Sequence, residues 1–128
     1  MLKDSKGFSS FAVPDLTAAK DFYGQTLGLT VAEEDMGTLN IQLSGGASVM
    51  VYPKPDHEPA VYTVLNFMVK DLDGAVDDLT AKGVKFERYE NFKHDDKGIV
   101  RSGDDNPGPS IAWFKDPAGN VLAVMEEA

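Results

Sequence analysis

The segment Phe11-Ala12-Val13-Pro14-Asp15-Leu16-Thr17-Ala18-Ala19 returns 56 positions later as Phe67-Met68-Val69-Lys70-Asp71-Leu72-Asp73-Gly74-Ala75. Phe, Val, Asp, Leu and Ala recur in register. Such a repeat means one supersecondary unit used twice. Each copy reads as an apolar strand that runs into a helix. Asp15 and Asp71 stand where an N-cap belongs, because a carboxylate accepts from the first unpaired N–H groups. Leu72, Ala75, Val76 and Leu79 step as i, i+3, i+4, i+7 and give one buried face; Leu16, Ala19, Tyr23 and Leu27 do nearly the same. Gly28 and Gly83 close the helices as C-cap residues. The acids Asp71, Asp73, Asp77 and Asp78 are expected mainly on one exposed face of the second helix.

The remaining apolar runs supply strands. In the first copy they cover about 8–13, 30–35, 38–43 and 47–52, with Gly45-Gly46 as a turn. In the second they cover about 62–69, 84–91, 110–115 and 120–126. Three prolines between 53 and 59 mark a linker, so module one spans about 7–53, the linker 54–61 and module two 62–127. Residues 93–109 form a long polar loop, of a length often tied to function; residues 98–101 could add a short strand inside it. The last two strands flank Asp116-Pro117-Ala118-Gly119-Asn120. Pro117 presets φ, Gly119 tolerates positive φ, and Asp116 and Asn120 can bond nearby backbone, which makes this a tight hairpin.

Together these features resemble the vicinal oxygen chelate superfamily, which includes glyoxalase I, bleomycin-resistance proteins and extradiol dioxygenases. The doubled Val-x-Asp-Leu helix start, Phe22-Tyr23 with Leu27-Gly28-Leu29, and the Asp-Pro-x-Gly-Asn hairpin carry the resemblance over about residues 7–127. It implies a single-domain α+β fold of two βαβββ modules forming a cup-shaped, half-open mixed-sheet barrel. The family's metalloenzymes hold a divalent ion with a His (or Gln) from the first strand of a module and a Glu from the last. Transferred to this chain, those positions fall on Phe8, Met50, Val64 and Ala123, none of which ligates a hard cation. Moving each strand by two residues brings up no imidazole or carboxylate. The two histidines, His57 and His94, lie in the linker and the long loop, and a site from His94, Asp95 and Asp96 has weak support. The expectation is no metal and no other cofactor.

Composition narrows the function classes. The net charge of -9 opposes nucleic-acid binding, which needs a basic face. It would draw a cationic ligand if focused in a cleft. There is no cysteine, hence no disulfide, thiolate metal site or cysteine nucleophile. No apolar leader or membrane-length run is visible, so a soluble cytoplasmic protein is expected. No serine-triad, phosphate-loop or zinc motif is present.

Strand alternation sorts the cup. Phe8, Ser10, Asn40, Gln42, Met50 and Tyr52 are expected to face inward from module one. Val64, Asn66, Met68, Ala123 and Met125 are expected from module two, with Trp113 of open facing and Arg101 as a possible anion partner or surface ion pair. These residues form a neutral, mixed wall suited to a small aromatic or amphipathic molecule. The expected activity is therefore small-molecule binding. The alternatives are a metal-dependent lyase, isomerase or dioxygenase with displaced ligands, and an enzyme using Tyr52 as acid or base. Unpaired sheet edges lead to the expectation of a homodimer.

Overall fold

A computed structural model describes residues 1–127. The chain divides into two compact units, Met1–Glu58 and the residues from Pro59 onward.

The first unit contains β1 (Ser9–Val13), α1 (Leu16–Asp21), β2 (Thr30–Glu33), β3 (Leu39–Gln42) and β4 (Ser48–Pro53), after a short helical turn at Leu2–Asp4. The sheet order is β1-β4-β3-β2, with β1 parallel to β4 and the other pairs antiparallel. The Asp15 carboxylate accepts from the Thr17 and Ala18 N–H groups, as an N-cap must. The helix then widens into a π-turn, Phe22–Thr26, in which the Leu27 N–H reaches the Phe22 carbonyl. That widening places the fully buried Tyr23 against the rings of Phe11 and Phe22. Phe11, Val13, Leu39, Ile41, Val49 and Val51 lie on one sheet face and are buried. The opposite face carries the row Ser10, Met50, Asn40, and beside it the pair Ser48 and Gln42.

The second unit repeats this plan with β5 (Thr63–Val69), α2 (Leu72–Ala81), β6 (Ile111–Lys115) and β7 (Val121–Glu126). Its order is β5-β7-β6, with β5 parallel to β7, so these strands stand for β1, β4 and β3 of the first unit. Leu72, Val76 and Leu79 of α2 are buried, and α2 packs on β7. Both sheets are mixed and open, in keeping with the expected α+β architecture, with three strands in the second module where the βαβββ plan has four.

Three local expectations need correction. The strand expected over 84–91 does not form: Phe86 makes a single bridge to Phe114 and the Glu87 N–H reaches the Trp113 carbonyl. Beyond it, the Tyr89 N–H donates to His94 Nε2 at 2.9 Å, so a side chain takes a donor that a ladder would have used. The first strand begins at Ser9, leaving Phe8 outside it and 66% exposed. In β5, Thr63 pairs with Val121 and Leu65 with Leu122, making Val64 the extra residue of a bulge. Strict alternation therefore breaks at Val64, although Asn66 and Met68 do share a face with Ala123 and Met125. The short pairing expected at 98–101 is present as reciprocal hydrogen bonds between Val100 and Ile111.

The closing hairpin is held by one buried carboxylate. Asp116 Oδ1 accepts from the Ala118 and Asn120 N–H groups, and Oδ2 accepts from the Asn120 side-chain amide at 3.0 Å. Gly119 sits at φ +88°, and a Cβ there would lie 3.2 Å from Pro59 Cγ. Only glycine meets both conditions without strain.

Candidate functional site

The first unit holds a cleft of about 400 Å³ against the open face of β3 and β4. Its floor includes Asn40, Ser48 and Met50, three neighbours fixed by strand register: Asn40 lies opposite Met50, and Ser48 opposite Gln42. Its rim is the β2–β3 turn. The Gly37 N–H bonds the Glu34 carbonyl at 3.0 Å and the Glu34 N–H bonds the Thr38 carbonyl at 2.8 Å. Gly37 adopts φ +82°, which lets the chain re-enter the ladder at Leu39. This tight turn brings Glu34, Asp35 and Met36 to the cleft, which Phe8 also lines. Met36 is 76% exposed and, like Phe8, leaves a large apolar side chain in water. Thr38 also lines the cleft, and its hydroxyl is buried without a hydrogen-bond partner among the described residues.

The second unit holds a larger cleft, about 610 Å³, inside the long loop between Asn91 and Asn106. Here two of the lining charges, Arg101 and Asp95, are committed to each other and to α2, while Lys93, Asp104 and Asp105 also line the cleft. Arg101 grips Asp73 with two bonds of 2.9 and 2.7 Å and reaches Asp95 through Nε and Nη2 at 3.0 and 2.8 Å. Lys97 bonds Asp77 at 3.0 Å and lies 3.4 Å from Asp73. Asp95 also accepts from the Lys97 and Ile99 N–H groups. The Arg101 guanidinium holds the Asp73 carboxyl well below the usual carboxylate range, and Asp73 in turn raises Arg101. Burial pushes Asp95 up, but bonds from Ile99, Arg101 and Lys97 outweigh it and leave the group below its ordinary value. This network ties the loop to α2 through Asp73 and Asp77, two of the four acids expected on its exposed face; Asp71 caps the helix and Asp78 pairs with Lys82.

An aromatic cluster lies nearby in the same unit. Trp113 meets Phe92 at 5.2 Å, Tyr89 at 5.4 Å edge-on and His94 at 6.2 Å. His94 is held on both sides, accepting from the Tyr89 N–H at Nε2 and bonding the Gly98 carbonyl through Nδ1 at 2.8 Å. Nε2 must be the acceptor there, so Nδ1 carries the proton. The histidine and Asp95 thus stabilise the loop. Burial, then Glu87, pushes the Tyr89 phenol up.

The expected site residues separate. Phe8, Asn40 and Met50 line the first unit's cleft; Tyr52 is half-buried further along β4, while Ser10 and Gln42 are exposed. In the second unit Asn66, Ala123 and Trp113 form one cross-strand row, and Met68 and Met125 pair beside it. Ala123 is fully buried, so it offers no open wall, whereas Met68 and Asn66 are exposed. The amides expected to be buried are not: Asn40 is half-covered, and Gln42 and Asn66 face water. Arg101 lines the second cleft, but its guanidinium is taken up by two carboxylates. The sequence reading missed the rim Glu34, Asp35, Met36 and Thr38. Its signal was an acidic run closed by Gly37 between two strands.

The positions to which the resemblance carries the family's metal ligands hold Phe8, Met50, Val64 and Ala123, whose side chains offer no donor for a hard cation. Among the described residues no group of three or more His, Cys, Asp or Glu side chains could hold a metal ion. Also among them, no helix is long and apolar enough to cross a membrane.

Comparison with known proteins closes the question of family. The sequence profile of the Glyoxalase/Bleomycin resistance protein/Dioxygenase superfamily matches residues 8–124. No curated protein matches the chain. Among solved structures, TnmS3, an antibiotic binding protein from Streptomyces sp. CB03234, is similar at 25% identity, 98% coverage of each chain and a TM-score of 0.69. A member of the same superfamily from Sphaerobacter thermophilus is 24% identical over 96% of this chain and 98% of that one, with a TM-score of 0.67. The fosfomycin resistance protein FosX from Listeria monocytogenes shares the fold at 11% identity, covering 95% of this chain and 90% of its own, with a TM-score of 0.68. The chain belongs to the glyoxalase/bleomycin resistance protein/dioxygenase superfamily.

Proposed function

We propose that this protein binds a small aromatic or amphipathic molecule without a metal ion, using the cleft of the first unit. The observation that carries the reading is the cleft itself: Phe8 and Met50 stand beside Asn40 and Ser48 around about 400 Å³ of open space. Apolar walls with a few placed polar groups are what small-molecule sites require. Methionine adapts its shape to irregular ligands. The likeness to an antibiotic binding protein at 25% identity supports binding over chemistry. Among the described residues no donor cluster could hold a metal ion, which favours this reading over a metal-dependent lyase, isomerase or dioxygenase.

The test is a titration with N-phenyl-1-naphthylamine, an uncharged probe that fluoresces in apolar sites. Saturable binding is expected, weakened about tenfold in a Phe8→Ala/Met50→Ala variant through lost apolar contact. A linear, unsaturable signal, or equal binding by the variant, would refute the assignment. Exposure to Zn, Ni, Mn and Fe(II) should leave clearly less than one tightly held ion per chain by elemental analysis. Cytoplasmic residence and a homodimer belong to the same reading. The dimer is supported by sheet edges at β1, β2 and β5 that lack a strand partner within their own unit. Sedimentation as a monomer at micromolar concentration would contradict it.

A further inference from the structure

We infer that the molecule taken by the first unit's cleft is an organic cation, its charged group meeting Glu34 and Asp35 and its apolar body meeting Phe8 and Met36. This rests on the small-molecule reading above and adds the ligand's charge.

The acidic residues differ in what stands beside them. Glu33 is paired with Lys20, Asp56 with Lys54, Asp78 with Lys82 and Glu87 with Lys115. Asp73, Asp77 and Asp95 share Lys97 and Arg101. Glu34 and Asp35 have no such partner among the described residues; Asp104 and Asp105 have no ion pair either, but Lys93, His94 and Arg101 line their cleft, whereas no Lys, Arg or His lines that of Glu34 and Asp35. Two adjacent carboxylates on one tight turn repel each other, and a bound cation would relieve that repulsion. The turn is braced by the Gly37 and Glu34 backbone bonds, so the two groups stay at the cleft.

Two further observations point to a ligand and not to a solvated acidic surface. Phe8 and Met36 flank the same opening, and both are more than half exposed. An aromatic face and a polarisable thioether are favourable neighbours for an organic cation. Thr38, 9% exposed, contributes a buried hydroxyl with no partner in the described residues. A small hydrated metal ion would use none of these apolar groups, whereas an amine or quaternary ammonium on a hydrocarbon body uses all of them.

The test uses three probes with one apolar body: trimethyl(1-naphthylmethyl)ammonium, 1-naphthalenemethanol and 1-naphthalenemethanesulfonate. Each is titrated into the full-length protein while the amide resonances of Asn40 and Ser48 are followed. The cation should bind about tenfold more tightly than the alcohol, and the sulfonate most weakly. A Glu34→Gln/Asp35→Asn variant should bring cation and alcohol within about twofold of each other without changing the alcohol. An Asp4→Asn/Asp21→Asn variant, with the same change in net charge, should keep the preference. Equal binding of cation and alcohol in the cleft, or a preference that survives Glu34→Gln/Asp35→Asn, would overturn the charge inference alone. If none of the three probes moves those amides, the small-molecule reading falls with it.

Discussion

The two units share an Asp-capped helix and a common order for three strands, yet the acids they set at the β2–β3 turn and beside α2 have different neighbours. In the second unit, Asp73, Asp77 and Asp95 are consumed by Arg101 and Lys97, and the long loop is fastened to α2. In the first, Glu34 and Asp35 stand at a cleft that no Lys, Arg or His among the described residues lines. The same module thus carries one cleft in which Arg101 and Asp95 bond each other and Lys93 shares the lining with Asp104 and Asp105, and one whose two acids have no basic side chain among the described residues that line it. The difference lies in the connections: a tight turn joins β2 to β3, whereas the matching stretch of the second unit is a long loop that needs anchoring.

If that contrast is right, removing acids should be costly in one unit and nearly free in the other. Asp95→Ala should have the largest effect, lowering unfolding free energy by about 2 kcal/mol in denaturant melts, because bonds from Arg101 and two backbone N–H groups are lost. Gly119→Ala and Gly37→Ala should each cost about 1 kcal/mol through forced positive φ, with Gly119 the worse because its Cβ also meets Pro59. Glu34→Ala and Asp35→Ala should change stability by less than about 0.5 kcal/mol, as expected for surface residues outside any network. An Asp35→Ala cost comparable to that of Asp95→Ala would erase the contrast.

Acid sharpens the same comparison. Asp73 and Asp95 sit below their ordinary values when folded, so the stability they contribute is present above the ordinary carboxylate range and is lost as pH falls below about 4. Hydrogen-exchange protection at Ile99 and Val100 should therefore fall in that window before protection at Ile41 and Val51 does. Simultaneous loss in both units would contradict the assignment of the network to the loop.

Most of the fold could be read from the chain because its signals are local. The repeat, the Asp caps and the Asp116 to Asn120 turn each act within a few residues, and the structure places all of them as expected. What escaped depends on competition between distant groups. No periodicity announces that His94 will take the Tyr89 N–H and end a strand, or that a bulge at Val64 will break alternation. Arg101 was open between an anion partner and a surface ion pair, and Asp73, 28 residues away, and Asp95 decide for the ion pair. The cleft was half legible: Asn40 and Met50 follow from strand parity, while Glu34, Asp35 and Met36 lie in a turn, where alternation says nothing.

The most direct test of the whole account is an amide-resolved NMR titration of the intact protein with trimethyl(1-naphthylmethyl)ammonium. The account predicts saturable shifts at Asn40, Ser48 and the turn from Glu34 to Thr38, with Phe92 to Asn106 unmoved. Shifts confined to that second loop, or none at saturating probe, would contradict it.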